Sequence, residues 1–217
     1  MDESNIINDF LNLSEVQNKK IGVFDLETLY LFNEIDPNWD NMNYKRKKSA
    51  ELTIIPKLRI SVAGILTVSN KIPIYSYYLE EQIESLLTEL DKLDLIIGHN
   101  IVDFDYKILD SYSNNISTSL LPKTIDTLIP FQKRNLGWPS LNDLGKLNFN
   151  VTKTIDTLKI PEMWRAGKFE EVKEYLKRDL DLQAAIYSLG ISKGEITIYN
   201  KKYGKIMGKN CIEIDFN

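Results

Sequence analysis

Ile21-Gly22-Val23-Phe24-Asp25-Leu26-Glu27-Thr28 is the stretch from which the fold can be read outward. Ile21 to Phe24 reads as a buried strand, and the two-residue period of a strand points Asp25 and Glu27 to the same side of its continuation. A D-x-E pair arises roughly once by chance in a chain of this composition, so spacing alone says little. Its position says more, because two carboxylates closing an apolar strand repel each other unless a proton or a cation compensates.

Two further stretches follow in chain order. Asn100-Ile101-Val102-Asp103-Phe104-Asp105 stands where a short apolar strand, Leu95–Gly98, gives way to a helix over about 103–112. Its N-x-x-x-F-D pattern is expected in only about one such chain in twenty, which makes it the most specific of the signals. Tyr175-Leu176-Lys177-Arg178-Asp179 lies in a segment, 169–189, with strong helical periodicity, so the phenol and the carboxylate share one helix face. A second Y-x-x-x-D, Tyr106 to Asp110, shows that this pattern gains meaning only from chain order and context.

Four acids delivered by separate segments suit the hydrolysis of a phosphodiester with two divalent ions, one activating the attacking water and one stabilising the departing oxygen. Asp25, Glu27, Asp105 and Asp179 are the expected ligands. An all-carboxylate set favours two Mg²⁺ or Mn²⁺ ions over zinc, and with one His and one Cys in the chain no zinc site is visible. Tyr175 is expected to orient the water, since a phenol is a poor base at its ordinary pKa near 10. Thr28, His99, Asn100 and Phe104 are the expected substrate contacts, His99 and Asn100 shaping the pocket and Asn100 and Phe104 lying near the terminal sugar or base. For His99 a hydrogen-bonded position at a strand end is an equal alternative.

The rest of the chain reads as scaffold. Residues 1–19 form an accessory segment in which Ile6, Ile7, Phe10, Leu11 and Leu13 predict a short amphipathic helix; residues 20–217 form one domain. The stretch 30–57 reads as an irregular polar insertion holding Pro37, Trp39, Lys45-Arg46-Lys47-Lys48 and Pro56, preferably a solvated loop and otherwise a flap on the phosphate backbone. Arg59–Thr67 and Ile72–Leu79 predict a hairpin turning at Ser69-Asn70-Lys71, followed by a helix over 80–93. A strand is expected at 123–127, and Ser140 caps a helix over Leu141–Leu147. Gly190 fits the end of the long helix, and Ile196–Tyr199 and Ile212–Phe216 predict a C-terminal β-hairpin with Gly204 and Gly208 in its turn. Asp126 and Asp156 both sit in Ile-Asp-Thr-Leu; the first reads as a strand-end scaffold feature and the second as loop, and Lys177 and Arg178 as a solvated helix face. The order of strands and helices indicates an α/β fold, a sheet covered by helices.

At 217 residues, 43% hydrophobic and 27% charged, the chain suits one soluble domain, with no apolar run long enough to span a bilayer. Met1-Asp2-Glu3-Ser4 lacks the pattern of a secretory signal, and the single Cys211 points to a cytoplasmic setting. A net charge of −4 argues against coating duplex DNA while leaving room for gripping a few nucleotides.

These motifs resemble those of the DEDD exonuclease superfamily, in the branch with a tyrosine in its third motif. A closer similarity is to the ribonuclease H-like exonuclease domains found alone or joined to DEAD/DEAH-type helicases, and to the proofreading domains of family B DNA polymerases. Ile97-Gly98-His99-Asn100 through Phe104-Asp105-Tyr106, Ser140-Leu141-Asn142-Asp143-Leu144, and Trp164-Arg165-Ala166-Gly167-Lys168 running into Glu174–Asp179 carry the likeness, over about residues 20–190. The resemblance implies a ribonuclease H-like mixed central sheet of five or so strands with helices on both faces. It also implies 3′-to-5′ removal of nucleoside monophosphates from single-stranded ends, DNA favoured over RNA, with any helicase or polymerase partner on another chain. His99 lacks the acid five residues later that the histidine-using relatives show, so it is not the expected base. A nucleic-acid-binding accessory module with little turnover is the rival expectation.

Overall fold

The computed structural model describes residues 6–16, 19–152, 155–202 and 205–216; Met1–Ser4 and Gly204 of the expectations above lie outside them. In chain order the elements are α1 (Asn8–Val16), β1 (Ile21–Thr28), α2 (Phe32–Ile35), α3 (Tyr44–Ile54), β2 (Ile60–Ser69), β3 (Ile72–Tyr78), α4 (Ile83–Asp91), β4 (Leu95–Gly98) and α5 (Asp105–Leu109). There follow α6 (Ile116–Leu120), β5 (Thr124–Asp126), α7 (Ile129–Lys133), α8 (Leu141–Phe149), α9 (Ile160–Arg165), α10 (Phe169–Lys193), β6 (Glu195–Lys202) and β7 (Lys205–Glu213).

The fold is mixed α/β. A five-stranded sheet runs in the order β3-β2-β1-β4-β5, and β6 and β7 form a separate antiparallel hairpin. β1 pairs parallel to β4 and antiparallel to β2, while β5 is parallel to β4. The β2–β3 turn is the predicted one: Asn70 and Lys71, with φ of 50° and 61°, are the two residues left between the paired Ser69 and Ile72.

Alternation along β1 divides two apolar layers. Ile21 and Val23 face one core with Phe10 of α1, Leu144 of α8 and Leu176 and Leu180 of α10; Phe24 and Leu26 face the other with Ile54, Leu86, Leu90 and Ile108. Asp25 and Glu27 continue the row of Ile21 and Val23, which turns them toward the α10 layer. Gly64, the β2 partner of Asp25, lets α10 lie close: a Cβ there would sit 3.0 Å from Leu180 Cδ1.

Four expectations are corrected. Residues 30–57 are not an irregular loop: they hold α2, short 3-10 turns and α3, whose N-terminus Asn43 caps by accepting from the Arg46 N–H at 3.0 Å. Ile54, Ile55 and Leu58 then anchor its far end in the second core. Gly190 does not end the long helix, which continues to Lys193 and stops at Gly194 in the left-handed region, φ 65°. Gly190 is instead a point of contact, where a Cβ would lie 2.2 Å from Phe216 Cε2. The last strand ends at Glu213 rather than Phe216, with Gly208 inside it opposite Asn200; Ile214 and Phe216 leave the hairpin and bury against α10. The helix begun in the second motif is also shorter than expected, Asp105–Leu109. Among the described residues no helix is long and apolar enough to cross a membrane.

Candidate metal centre and its cleft

β1 has eight residues and β4 four, and their pairing stops at Val23–Ile97. Beyond that point the edge of β1 has no strand beside it, and a cleft opens at the carboxyl ends of the parallel strands, where ligands of such sheets ordinarily bind. It has a volume of about 260 Å³ and is lined by Asp25, Glu27, Thr28, His99, Asn100, Phe104, Asp105 and Asp179, together with Leu26, Tyr30, Leu31, Phe32, Leu58, Thr157, Leu158 and Pro161.

Asp25, Glu27 and Asp179 place carboxylate oxygens within 4.8 Å of one another. Two come from β1 and one from α10, and Glu27 and Asp179 are buried. Asp105 does not join that trio. It approaches from the opposite layer, and its Oδ1 accepts the Leu26 N–H at 3.1 Å, the donor that the early end of β4 leaves exposed on the edge of β1. Burial, the negative charge of Asp25 and, to a lesser degree, that of Asp126 push the Asp105 carboxyl well above the usual carboxylate range. The fourth acid therefore lies beside the cluster and senses it.

Tyr175 is buried on α10, one turn before Asp179, and does not line the cleft. Its hydroxyl meets Thr157 Oγ1 at 2.8 Å, and Thr157 does line it. Both ring nitrogens of His99 are engaged, Nδ1 with Thr127 Oγ1 at 2.9 Å and Nε2 with the Pro139 carbonyl at 3.0 Å. This residue is a strut that fixes the 137–139 loop to the cleft wall. Asn100 adopts the left-handed region, φ 68°, and its buried Oδ1 has no hydrogen-bond partner. The Thr28 hydroxyl donates to the Tyr30 carbonyl at 2.9 Å, and Phe104 lies 6.2 Å from the ring of Phe32.

Asp126 is the scaffold feature expected of it, accepting the N–H groups of Asn100 (2.8 Å), Leu128 (2.9 Å) and Val102 (3.1 Å). Asp156 caps the turn after it by accepting the Leu158 N–H at 3.1 Å. Each Ile-Asp-Thr-Leu thus winds a tight turn whose threonine props a site residue, Thr127 for His99 and Thr157 for Tyr175. Sequence reasoning missed both threonines, and the repeated tetrapeptide was the signal that could have found them. It also missed the role of Arg165, which donates to the Leu29 carbonyl and pairs with Glu34 at 2.6 Å, holding α9 against the segment after β1. Lys177 and Arg178 pair along α10, with Asp181 at 3.0 Å and Glu174 at 3.7 Å.

The clustered donors are all carboxylate oxygens, the set preferred by a hard divalent cation of the Mg²⁺ or Mn²⁺ type, and the cluster contains no His or Cys. Three like charges at this spacing are costly without a proton or cation between them, so the residues present fit such an ion. Comparison of the chain with protein-family models and with curated proteins finds no match.

Proposed function

We propose that this protein is a metal-dependent 3′-to-5′ exonuclease of the ribonuclease H-like DEDD type, hydrolysing single-stranded nucleic-acid ends, DNA in preference to RNA. The observation that carries the reading is the meeting of Asp25 and Glu27 of β1 with Asp179 of α10, oxygens within 4.8 Å, in a cleft that also holds Asn100, Phe104 and Asp105. Asp25, Glu27 and Asp179 would hold one divalent ion, and Asp25 with Asp105 a second. Such ions, when bound, lower the pKa of water and neutralise charge on the departing 3′ oxygen.

The chain's own residues do the positioning. Phe104 and the Leu158–Pro161 wall offer apolar faces to a terminal base or sugar, and Asn100 brings a buried amide oxygen in search of a donor. Tyr175 acts as a positioning residue and moves no proton: its hydroxyl meets Thr157 Oγ1, which lines the cleft, at 2.8 Å, and orients the attacking water from there. His99 keeps the wall in place and moves no proton, since both its nitrogens are occupied. Burial and the charge of Asp25 raise the affinity of Asp105 for a proton, and a cation held beside it would lower that affinity again. The single exposed Cys211 accords with a reducing compartment, and we place the protein in the cytoplasm.

Purified protein incubated with 3′-labelled and with 5′-labelled oligonucleotides tests the reading. With Mg²⁺ or Mn²⁺ the 3′ label should leave as mononucleotide and the 5′-labelled strand should shorten stepwise, with neither change in chelator. Strands that stay intact with both metals would reject the exonuclease and favour a binding module.

A further inference from the structure

Beside the cleft, three segments distant in sequence close into one rim. Lys48 of α3, whose charged form is favoured chiefly by its hydrogen bond to Glu51, also lies near Asp103, in the turn between Asn100 and Asp105. Lys48 Nζ in turn stands 4.8 Å from the ring centre of Trp138, and the next residue, Pro139, receives the bond from His99. On its other side α3 is tied in through aromatic rings: Lys47 lies 5.1 Å from the Trp39 ring, Trp39 stacks on Phe32 at 4.3 Å, and Phe32 lines the cleft beside Phe104.

This rim carries a concentration of positive charge that the protein as a whole, at −4, does not have. Lys45, Arg46, Lys47 and Lys48 follow one another in the first turns of α3. Lys48 pairs with Glu51 at 2.9 Å, whereas Lys45 and Arg46 are exposed and make no ion pair among the described residues. Trp138 is 53% exposed and Tyr44 72% exposed, so flat rings stand out from the same rim. Cations that track phosphates, alternating with rings on which bases stack, form the surface that binds an unpaired strand. A duplex keeps its base faces covered and could use only the charges.

We propose that α3 and the 137–139 loop form the binding surface for the unpaired polynucleotide strand that runs back from the 3′ end seated in the cleft. Lys45 and Arg46 meet its phosphates, and Trp138 stacks on one of its bases from the side that Lys48 does not cover. The direction of the strand rests on the exonuclease reading; the surface itself does not require turnover.

The test is equilibrium binding in chelator, where nothing is cleaved, of fluorescein-labelled single-stranded DNA and matched RNA of about 12 nucleotides, followed by anisotropy over a salt series. Lys45→Glu with Arg46→Glu should weaken binding at least about tenfold and reduce the slope of log K against log salt by about 1.4, the loss of two phosphate contacts. Trp138→Ala should weaken it by about tenfold and remove strand-induced quenching of tryptophan fluorescence, while Trp138→Phe retains most of the affinity. The DNA and RNA arms share phosphates and base faces and separate the two kinds of strand. Wild-type affinity and salt slope in the charge-reversed protein would overturn the proposal, as would equal affinity for duplex or for polyglutamate. The p-nitrophenyl ester of thymidine 5′-monophosphate, too small to reach α3, separates the two readings when assayed with Mn²⁺. Strand binding as expected in a protein that leaves the ester intact would sink the exonuclease alone. Ester hydrolysis with unaltered strand binding in the charge-reversed protein would sink the surface alone.

Discussion

Replacing Asp179 by Asn should stabilise the metal-free protein while abolishing its response to divalent ions. The oxygens of Asp25, Glu27 and Asp179 lie within 4.8 Å of one another, and two full charges at that separation repel by roughly 3 kcal/mol at an effective dielectric constant of about 20. Proton uptake and outward relaxation of the side chains relieve part of this, so the expected net gain for Asp179→Asn in chelator is about 1–2 kcal/mol. Urea denaturation followed by circular dichroism reads it directly, first in chelator and then with Mg²⁺ or Mn²⁺. A wild-type protein supplied with an ion at about 100 times its dissociation constant should gain about 2.7 kcal/mol, and the variant, short of one ligand, a small fraction of that. Cleavage of single strands should fall to background in the same variant. The reasoning is refuted by an Asn variant no more stable than wild type in chelator together with a wild-type midpoint that neither ion moves.

Four other outcomes are expected. Asp126→Ala should cost about 3 kcal/mol in urea denaturation, because it strands the buried N–H of Leu128 and the partly buried N–H groups of Asn100 and Val102; a loss below about 1 kcal/mol would contradict that accounting. Gly190→Ala should cost about 1–3 kcal/mol through contact with Phe216, and much less when introduced into Phe216→Ala, a difference that a double-mutant cycle measures. Glu80 is held below its ordinary 4.5 first by its hydrogen bond from Arg59, with Tyr112 adding to it. A depressed carboxyl contributes stability that is complete above its unfolded pKa and disappears as pH falls through the folded one, so Glu80→Gln should flatten the decline of melting temperature below pH 4.5, and an unchanged acid limb would count against it. Tyr175→Phe should slow strand cleavage roughly 10- to 100-fold with little change in metal-induced stabilisation; an unchanged rate would remove the tyrosine from the mechanism.

How much of this was legible in the sequence follows from how local each cause is. The β2–β3 hairpin rests on Asn70, which tolerates positive φ, with Lys71 following it at φ 61°, and the start of α8 on Ser140, whose hydroxyl accepts the Asp143 N–H at 3.1 Å; both causes lie within a few residues of their effects. The side-by-side projection of Asp25 and Glu27 is equally local. α3 was not legible because its middle is polar and its anchors, Ile54, Ile55 and Leu58, gather at its end and beyond it. β7 is exposed over almost its whole length, so it has no inward face for alternation to announce. Gly190 could be read as a stop only while the return of Phe216 onto α10 was unknown. In the site, the pattern of acids was visible, but not that Asp105 would answer to the Leu26 N–H instead of joining the trio, nor that Tyr175 would lean on Thr157. Those relations exist only across layers of the folded chain.

The mismatch between the eight residues of β1 and the four of β4 makes the trough a missing rung in a ladder rather than a hole among side chains. Residues inserted after Gly98 that allowed β4 to zip up beside Leu26 would seal it with every acid still in place. Trimming its lining atoms would widen the entrance and leave its floor where it is. What the trough can admit is governed by backbone length, a property that changes through insertion and deletion far more readily than through point substitution.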